Sequence, residues 1–389
     1  MSDDERPRVM SADDGVRVRR RVPVRLGGGR GYEIEIGAGA LAELGAVARR
    51  VLGGGARRVA LVSNPRVFAL YGAQARASLD AHGFTVAHWL MGDGERYKSL
   101  RTAERALEFL SAARVERGDA VVALGGGVVG DLAGFAAAVY LRGVAFVQVP
   151  TTLLAQLDSS VGGKTAVNTR AGKNLVGAFH QPRAVVIDTA TLATLPPREL
   201  TAGWCEAIKQ GALAGPRLFA QTRRCLDTTP TPDQFAALVA AQCAFKARVV
   251  AGDEREAFAR TDARSRRILN LGHTVGHALE VVTHYRRFRH GEAVGRGLVA
   301  AGEISHRLGL LPASELELLR ATVRRAGKLP RADDLDERAL LRAVAGDKKA
   351  VGGDVQWVLL ERFGRARIVG GRAIPAHVLR AALRAALRL

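Results

Sequence analysis

The sequence predicts an α/β fold in two parts: an N-terminal Rossmann-like domain with a mostly parallel sheet, followed by a mainly α-helical domain. Up to about residue 197, short apolar runs alternate with helical patterns, which is typical of parallel strands joined by helices. From Leu200 onward, almost every apolar pattern has a helical period. We therefore expect a disordered tail over residues 1–20, an α/β domain over 21–197 and a helical domain over 198–389.

The α/β half begins with two alternating segments joined by three glycines, which indicates a hairpin over 22–26 and 32–36. A helix is expected over 38–52, a second ends near His82, and a third begins at Ser99. The remaining strands are short apolar runs, predicted over 58–63, 85–90, 120–124, 145–149 and 184–188.

The second half contains helical patterns separated by polar segments. The predicted helices cover 202–214, 235–250, 268–282, 292–308, 315–326, 337–345 and 376–389. One small hairpin is expected over 355–360 and 366–368, where the period changes to that of a strand.

Composition narrows the class of protein. The net charge is +20, but the arginines are dispersed and lack interleaved aromatics, which argues against nucleic-acid binding as the main function. A basic nucleic-acid-binding protein stays open as an alternative, and it predicts salt-sensitive retention on DNA. The three cysteines form no CxxC pair, which favours reduced thiols and a cytoplasmic location. We expect no membrane association, because no apolar run approaches the length of about 18 residues that a span needs.

The stretch from Gly125 to His180 concentrates glycine and polar residues within apolar sequence. Gly125, Gly127 and Gly130 fit G-x-G-x-x-G, which lets backbone amides approach a pyrophosphate, although the usual acid about twenty residues on is missing. A plain tight turn is the alternative. Gly163-Lys164-Thr165 is not a nucleotide-triphosphate loop, because Asp158 stands where that motif needs glycine.

A polar cluster follows in short glycine-flanked segments, which we expect to be loops. Two lysines and two asparagines suit an anionic, hydroxyl-rich ligand, and a solvated loop face is the alternative. The cluster comprises Asp158, Lys164, Asn168, Lys173 and Asn174.

The helical half contains a carboxylate and several histidines at suggestive positions. His273 and His277 are four residues apart and share one helix face, but the H-E-x-x-H pattern of metalloproteases is absent. Glu206, His273 and His290 form a one-carboxylate, two-imidazole set, which suits a catalytic zinc with an open position. Structural histidines are the alternative interpretation.

Nine ordered motifs then carry a resemblance. They read GDGERYKSL, GGGVVGDLAGFAAAVYLRGV, QVPTTLLAQLDSSVGGKTAVN, GKNLVGAFHQP, TLATLPPREL, EAIKQG, LNLGHTVGHALE, HGEAV and DKK. From about residue 20 to the end, the chain resembles the 3-dehydroquinate synthase family of sugar-phosphate cyclases. The resemblance implies a homodimer that uses NAD and zinc or cobalt, with its active site in the cleft between the two domains.

The implied reaction converts 3-deoxy-D-arabino-heptulosonate 7-phosphate to 3-dehydroquinate and phosphate in the shikimate pathway. It proceeds by oxidation with NAD, phosphate elimination, re-reduction, ring opening and intramolecular aldol closure. A sister cyclase acting on sedoheptulose 7-phosphate is the alternative, and a metal-dependent polyol dehydrogenase is more distant. The polar residues Lys246, Arg266, Asn270 and 347–349 favour the carboxylate-bearing substrate.

The resemblance also assigns individual residues. Glu206, His273 and His290 match the metal ligands. The NAD contacts match Asp93, Glu95, Lys98, Gly127, Val128, Val129, Gly130, Asp131, Thr151, Thr152, Lys164, Lys173, Thr191, Leu192, Ala193 and Thr194, and Ser63 and Asn64 are expected to join them. The catalytic residues match Asp158, Lys164, Lys209, Asn174 and His277. The substrate contacts match Arg142, Lys164, Lys173, Asn174, Lys246, Arg266, Asn270, His277 and one of Lys348 and Lys349, with Arg142 reaching across the dimer interface.

Overall fold

The computed structural model describes residues 19–257, 260–262, 264–346 and 354–389. Residues 1–18 of the predicted tail lie outside the described residues, as do the two lysines of the DKK motif, Lys348 and Lys349.

Eleven strands and twelve α-helices make up the described chain. The strands are β1 (Arg20–Arg25), β2 (Gly31–Gly37), β3 (Arg58–Ser63), β4 (Thr85–Leu90), β5 (Ala120–Gly125), β6 (Ala145–Pro150), β7 (Lys164–Thr169), β8 (Gly172–Phe179), β9 (Ala184–Asp188), β10 (Gln356–Arg362) and β11 (Arg365–Gly370). The helices are α1 (Leu44–Leu52), α2 (Pro65–Ala81), α3 (Leu100–Ala112), α4 (Gly127–Val139), α5 (Pro197–Ala214), α6 (Pro216–Asp227), α7 (Pro232–Gly252), α8 (His273–Val282), α9 (His290–Arg307), α10 (Ala313–Arg325), α11 (Glu337–Ala345) and α12 (Ala376–Leu387).

These elements divide into two compact units. The α/β unit contains the described part of Val9–Leu195 together with Pro230–Ala251, and the helical unit contains Pro196–Thr229 together with the described parts of Gly252–Leu389. Helix α7 therefore groups mainly with the α/β unit, although it lies beyond residue 197, where the sequence suggested a single boundary.

A seven-stranded sheet forms the centre of the α/β unit, in the order β1-β2-β9-β6-β5-β3-β4. Only the β1–β2 pair is antiparallel, so the predicted mostly parallel sheet is confirmed. Helices cover both faces. Val122 and Leu124 of β5 pack in the cluster that includes α1 and α2, whereas Val121 and Ala123 pack in the cluster that includes α3 and α4. This two-sided burial explains why the strands read as continuous apolar runs.

The helical unit is organised around α9, fifteen of whose eighteen residues are buried. It contacts α5, α8, α10 and α12, and its core also includes residues of the β10–β11 hairpin. The fold class predicted from the sequence therefore holds in this unit as well, including the single hairpin near the end of the chain.

Some local predictions need correction. The segments that carry Lys164, Asn168, Lys173 and Asn174, expected to be loops, belong to the antiparallel β7–β8 hairpin. The predicted helix over 38–52 begins as a 3-10 turn at Ala40–Glu43. The predicted helix over 268–282 is interrupted: Arg266–Asn270 forms a 3-10 turn, and Gly272 adopts a left-handed conformation (φ 79°) before α8 begins. Helix α6 was not predicted.

Helix α7 bears on the expectation about membranes. By length and composition alone it could cross a bilayer, so the prediction that the chain has no such stretch is wrong. More than half of its most apolar window is buried inside the protein, as in the core helix of a water-soluble fold.

Candidate active site

The carboxyl edge of the parallel sheet gathers the residues predicted to contact a dinucleotide. Strands β4 and β5 lie on opposite sides of β3. The order in which successive strands are added to the sheet therefore reverses at β3, although all of these strands remain parallel. In open α/β sheets, ligands bind at such a switch point, outside the carboxyl ends of the strands. Ser63 lies at this position, at the carboxyl end of β3, and its Oγ donates to the carbonyl of Leu124 in β5 at 2.7 Å.

The glycine turn after β5 leaves the first turn of α4 accessible. Gly126 caps this helix without a side-chain hydrogen bond from any described residue. A Cβ added at Gly126 would lie 2.9 Å from Thr152 Cγ2, and one at Gly127 would lie 2.9 Å from Ser159 Oγ. The turn is therefore a narrow cradle of backbone amides at a helix N-terminus, which fits a pyrophosphate.

The loop after β4 is fastened to the β7–β8 hairpin. Glu95 accepts a hydrogen bond from Asn168 Nδ2 at 2.7 Å, and Lys98 Nζ donates to Asn174 Oδ1 at 2.6 Å. The same Lys98 ammonium contacts the carboxylate of Asp131 on α4. Burial raises the pKa of Asp131, and the neighbouring Lys98 charge opposes that effect. Predicted cofactor and substrate residues thus form one hydrogen-bonded group.

The remaining predicted cofactor residues follow β6 and β9 at the same edge. Thr151 N donates to the carbonyl of Gly125 at 3.0 Å, and Tyr71 Oη donates to the carbonyl of Thr191 at 3.0 Å. Gln156, which sequence reasoning missed, fixes the two turns by donating Nε2 to the carbonyls of Pro150 and Asp188. A buried glutamine in an apolar segment offers no sequence signal of this role.

Helix α7 brings a lysine to this unit's polar cluster. Lys246 is buried; its Nζ donates to the Asp158 carbonyl at 2.6 Å and contacts the Asp158 carboxylate. Lys164 begins β7 and Lys173 lies near the start of β8. Arg142 is exposed on the turn after α4, in a left-handed conformation (φ 67°).

In the helical unit, α5 contributes a carboxylate and a lysine one turn apart. Glu206 is completely buried, and Lys209 Nζ lies 2.5 Å from its Oε2. This is an ion pair without regular hydrogen-bond geometry: neither carboxylate oxygen of Glu206 accepts a hydrogen bond from any described residue. Lys209 balances the charge of this buried carboxylate, but its oxygens keep acceptor capacity that hydrogen bonds or a metal ion could fill.

Helices α8 and α9 bring three histidines together, and one of them, His290, lies beside that carboxylate. One ring nitrogen from each of His273, His277 and His290 lies within 4.8 Å of the others. His290 Nε2 is 3.6 Å from Glu206 Oε1. Two ligands of one tetrahedral zinc lie about 3.3 Å apart, from bond lengths of about 2.0–2.1 Å. The donor types, their spacing and the incompletely satisfied carboxylate therefore fit a divalent metal.

Glycine contacts make this convergence possible. A Cβ at Gly297 of α9 would lie 1.9 Å from the carbonyl of Gly272, and one at Gly276 of α8 would lie 3.2 Å from Val294 N. The two helices therefore touch nearly backbone to backbone. Glu292, buried in the first turn of α9, accepts hydrogen bonds from Arg198 Nε (2.8 Å) and Nη2 (2.6 Å), which ties α9 to the start of α5.

Two predicted substrate residues occupy the 3-10 turn before α8. Arg266 is buried, and its Nη1 donates to the Glu254 carbonyl at 2.9 Å, while Asn270 Nδ2 lies 3.4 Å from Glu256 Oε1. Cys205, next to Glu206, is not an activated nucleophile, because burial raises the pKa of its thiol.

One further residue near the histidines had no role assigned from the sequence. Glu280, in the last turn of α8, lies with its Oε2 3.2 Å from His290 Nδ1. An acid at a helix end usually reads as a surface residue, so only the folded arrangement of α8 and α9 shows this contact.

The fold and the site together define a class: a two-unit α/β enzyme with a glycine turn whose shape fits a phosphate group and a carboxylate–histidine set suited to a divalent metal. Family models described as "3-dehydroquinate synthase N-terminal" and "3-dehydroquinate synthase C-terminal" match residues 88–202 and 203–350. A 3-dehydroquinate synthase of Pelotomaculum thermopropionicum is 47% identical over 319 residues, which is 81% of this chain and 84% of that protein. The chain belongs to the 3-dehydroquinate synthase family.

Solved structures of related cyclases share the fold. The structure of 2-deoxy-scyllo-inosose synthase with carbaglucose-6-phosphate, NAD+ and Co2+ superposes with a TM-score of 0.80 at 25% identity, covering 94% of this chain and 99% of that one. The 2-epi-5-epi-valiolone synthase of Streptomyces hygroscopicus subsp. jinggangensis was solved with NAD+ and Zn2+ bound. It superposes with a TM-score of 0.80 at 26% identity, covering 92% of this chain and 97% of that one.

Proposed function

We propose that this chain converts 3-deoxy-D-arabino-heptulosonate 7-phosphate to 3-dehydroquinate and phosphate, a step of the shikimate pathway, with NAD and zinc or cobalt as cofactors. The observation that carries this proposal is family membership at 47% identity over most of the chain. The related cyclases solved with NAD+ and with Co2+ or Zn2+ support the cofactors.

Glu206, His273 and His290 are proposed to hold the metal. Glu206 supplies the negative charge, and its incompletely satisfied oxygens favour it as a ligand. When bound, the metal supplies Lewis-acid polarisation of a substrate oxygen, and NAD supplies a reversible hydride acceptor. His277 faces the same group of nitrogens and is proposed to exchange a proton with the substrate through a ring nitrogen rather than to bind the ion.

The polar residues of the α/β unit are proposed to receive the anionic and hydroxylated ends of the ligands. Gly127 to Asp131 and the turns at Thr151–Thr152 and 191–194 are proposed NAD contacts, with Glu95 and Lys98 close to the ribose. Lysine and asparagine side chains suit phosphate and hydroxyl groups, because they donate hydrogen bonds and Lys adds charge. On this ground Asp158, Lys164, Lys173, Asn174 and Lys246 are proposed to contact the substrate or to act on it.

In the helical unit, Lys209, Arg266 and Asn270 are the proposed substrate contacts. Lys209 forms a fully buried ion pair with Glu206, and this pair holds the lysine ammonium in place. Arg266 is positioned by its own backbone and side-chain hydrogen bonds, so its guanidinium is oriented before a ligand arrives.

A sister cyclase activity on sedoheptulose 7-phosphate is the second candidate, because the related solved structures are cyclases of other names. Phosphate release from the two sugar phosphates, measured side by side with NAD and metal, distinguishes the candidates. Release only from the carboxylate-bearing substrate supports the proposal. Release only from sedoheptulose 7-phosphate would move the chain to the sister activity.

We further propose a homodimer in the cytoplasm. Large apolar side chains are exposed beside Arg142, with Leu141 41% and Val139 43% exposed, and on β8, with Leu175 48% and Phe179 45% exposed. A second copy would cover them and bring Arg142 to the partner's site. The three cysteines are free and buried, which suits a reducing compartment. Sedimentation of the full chain at twice its 41.4 kDa mass would support the dimer, and a monomer would contradict it.

A further inference from the structure

Both histidines proposed as metal ligands have their Nδ1 atoms held by an acceptor. His273 Nδ1 lies 3.2 Å from the carbonyl of Leu271, and His290 Nδ1 lies 3.2 Å from Glu280 Oε2. An imidazole that donates from Nδ1 carries its lone pair on Nε2. His290 Nε2 is also the nitrogen nearer Glu206, at 3.6 Å from Oε1. The two contacts of His290 therefore select the tautomer that a metal requires.

Glu280 is built into the fold rather than placed by chance at the surface. It is only 2% exposed, and its backbone carbonyl accepts a hydrogen bond from Tyr285 N at 2.7 Å. His284 and Tyr285 adopt left-handed conformations (φ 51° and 57°) in the turn that follows. Such conformations are uncommon for residues other than glycine, so the surrounding packing must hold this turn. The turn leads directly to His290 at the start of α9.

We propose that Glu280 is a positioning residue of the metal centre: it accepts a hydrogen bond from His290 Nδ1 and so presents Nε2 to the ion. This inference rests on the proposed function, because it requires a metal at Glu206, His273 and His290. Carboxylate partners of ligating histidines fix the ring orientation and raise ligand basicity, and their loss costs about 10- to 100-fold in metal affinity.

A purely structural role is the competing explanation, since a buried carboxylate beside an imidazole can also stabilise the fold. The test compares Glu280→Ala and Glu280→Gln with a matched control, Glu303→Gln. Glu303 is also buried (5% exposed) and lies on α9, where it pairs with Arg307 and Arg320. It is thirteen residues from His290, about 20 Å along the helix.

The measurements are the zinc dissociation constant, by competition with a chromogenic chelator, and the visible absorption spectrum of the cobalt-loaded protein. We expect Glu280→Ala to weaken zinc binding about 10- to 100-fold and to alter the cobalt spectrum. Glu280→Gln keeps a hydrogen-bond acceptor without the charge, so its zinc affinity should fall less than that of Glu280→Ala. Glu303→Gln should lower thermal stability and leave both metal readouts unchanged.

Wild-type zinc affinity and cobalt spectrum in Glu280→Ala would overturn the inference. If that variant does not fold, Glu280→Gln decides: an unchanged zinc affinity in the folded glutamine variant also overturns it. These outcomes differ from a failure of the proposed function, in which the parent protein itself would bind no stoichiometric metal or release no phosphate.

Discussion

Gly291 lies against the backbone of Ala202 so closely that a Cβ at position 291 would be 2.0 Å from the Ala202 carbonyl oxygen. Through this contact the start of α9, which includes His290, packs directly against α5, the helix that carries Glu206. Because the obstructing atom is backbone, a side chain at 291 can be accommodated only if the helices move apart.

Gly291→Ala should therefore destabilise the protein and weaken metal binding together. Overpacking of this kind typically costs about 1–3 kcal/mol, and the shift separates His290 from Glu206. Urea unfolding and bound metal measured by mass spectrometry check the two effects. Gly346→Ala is the control, since its nearest atom would be 3.5 Å away. Full stability and metal content in Gly291→Ala would show that the contact is not required.

Glu206 and His277 should differ in their effect on metal content. Glu206→Gln removes the only charged member of the proposed ligand set, so we expect the purified variant to lose metal and turnover. His277→Ala should retain metal while turnover falls about 10²- to 10⁴-fold, as expected for loss of a proton-transfer group. Loss of metal in His277→Ala, with retention in Glu206→Gln, would instead assign the site to the three histidines.

Gly127→Ala should weaken NAD binding without affecting the metal. Its Cβ would meet Ser159 Oγ at 2.9 Å and occupy the cradle at the start of α4. We expect at least a tenfold loss of NAD affinity, about 1.4 kcal/mol, by titration calorimetry. Gly54→Ala, which meets nothing within 4 Å, is the control in the same unit. Unchanged NAD affinity in Gly127→Ala would place the dinucleotide elsewhere.

His180 should make the stability of the protein depend on pH. Burial lowers its pKa below the ordinary value of 6.5, although the hydrogen bond between Nε2 and the Val144 carbonyl (2.9 Å) opposes this. The folded state therefore favours neutral imidazole. Above pH 6.5 the imidazole is neutral in both states, and the contribution of His180 to stability is complete. As the pH falls below 6.5, the unfolded chain binds the proton before the folded state does, which favours unfolding and lowers the stability.

Urea unfolding between about pH 7 and about pH 5 tests this dependence. His180→Gln should lose less stability across that range than the parent protein. His377→Gln, at an exposed histidine, is the matched control and should keep the parent slope. Equal slopes in the parent and in His180→Gln would contradict the prediction.

Much of the fold could be predicted from the sequence because the central strands are buried on both faces. The predicted strands 58–63, 85–90 and 184–188 coincide with β3, β4 and β9. The β7–β8 hairpin was missed because its glycines, lysines and asparagines are poor strand formers. Its pairing depends on distant partners such as Lys98, whose carbonyl accepts from Asn168 N at 2.8 Å.

Helix α6 was missed by the sequence prediction for a different reason. Leu218, Phe219, Thr222, Cys225 and Leu226 are its buried residues, and their spacing is helical, so the signal was present in the sequence. The contact of Glu280 with His290 carries no such signal. It depends on where the turn between two helices places the second one, which local patterns do not determine.

The most direct test of the central claim is phosphate release from 3-deoxy-D-arabino-heptulosonate 7-phosphate, with NAD and zinc or cobalt, before and after chelation. We expect release that chelation abolishes and metal restores, with 3-dehydroquinate as the product and no net NADH, since the hydride returns within one turnover. Release that persists without metal, or that accumulates NADH in step with phosphate, would contradict the proposed function.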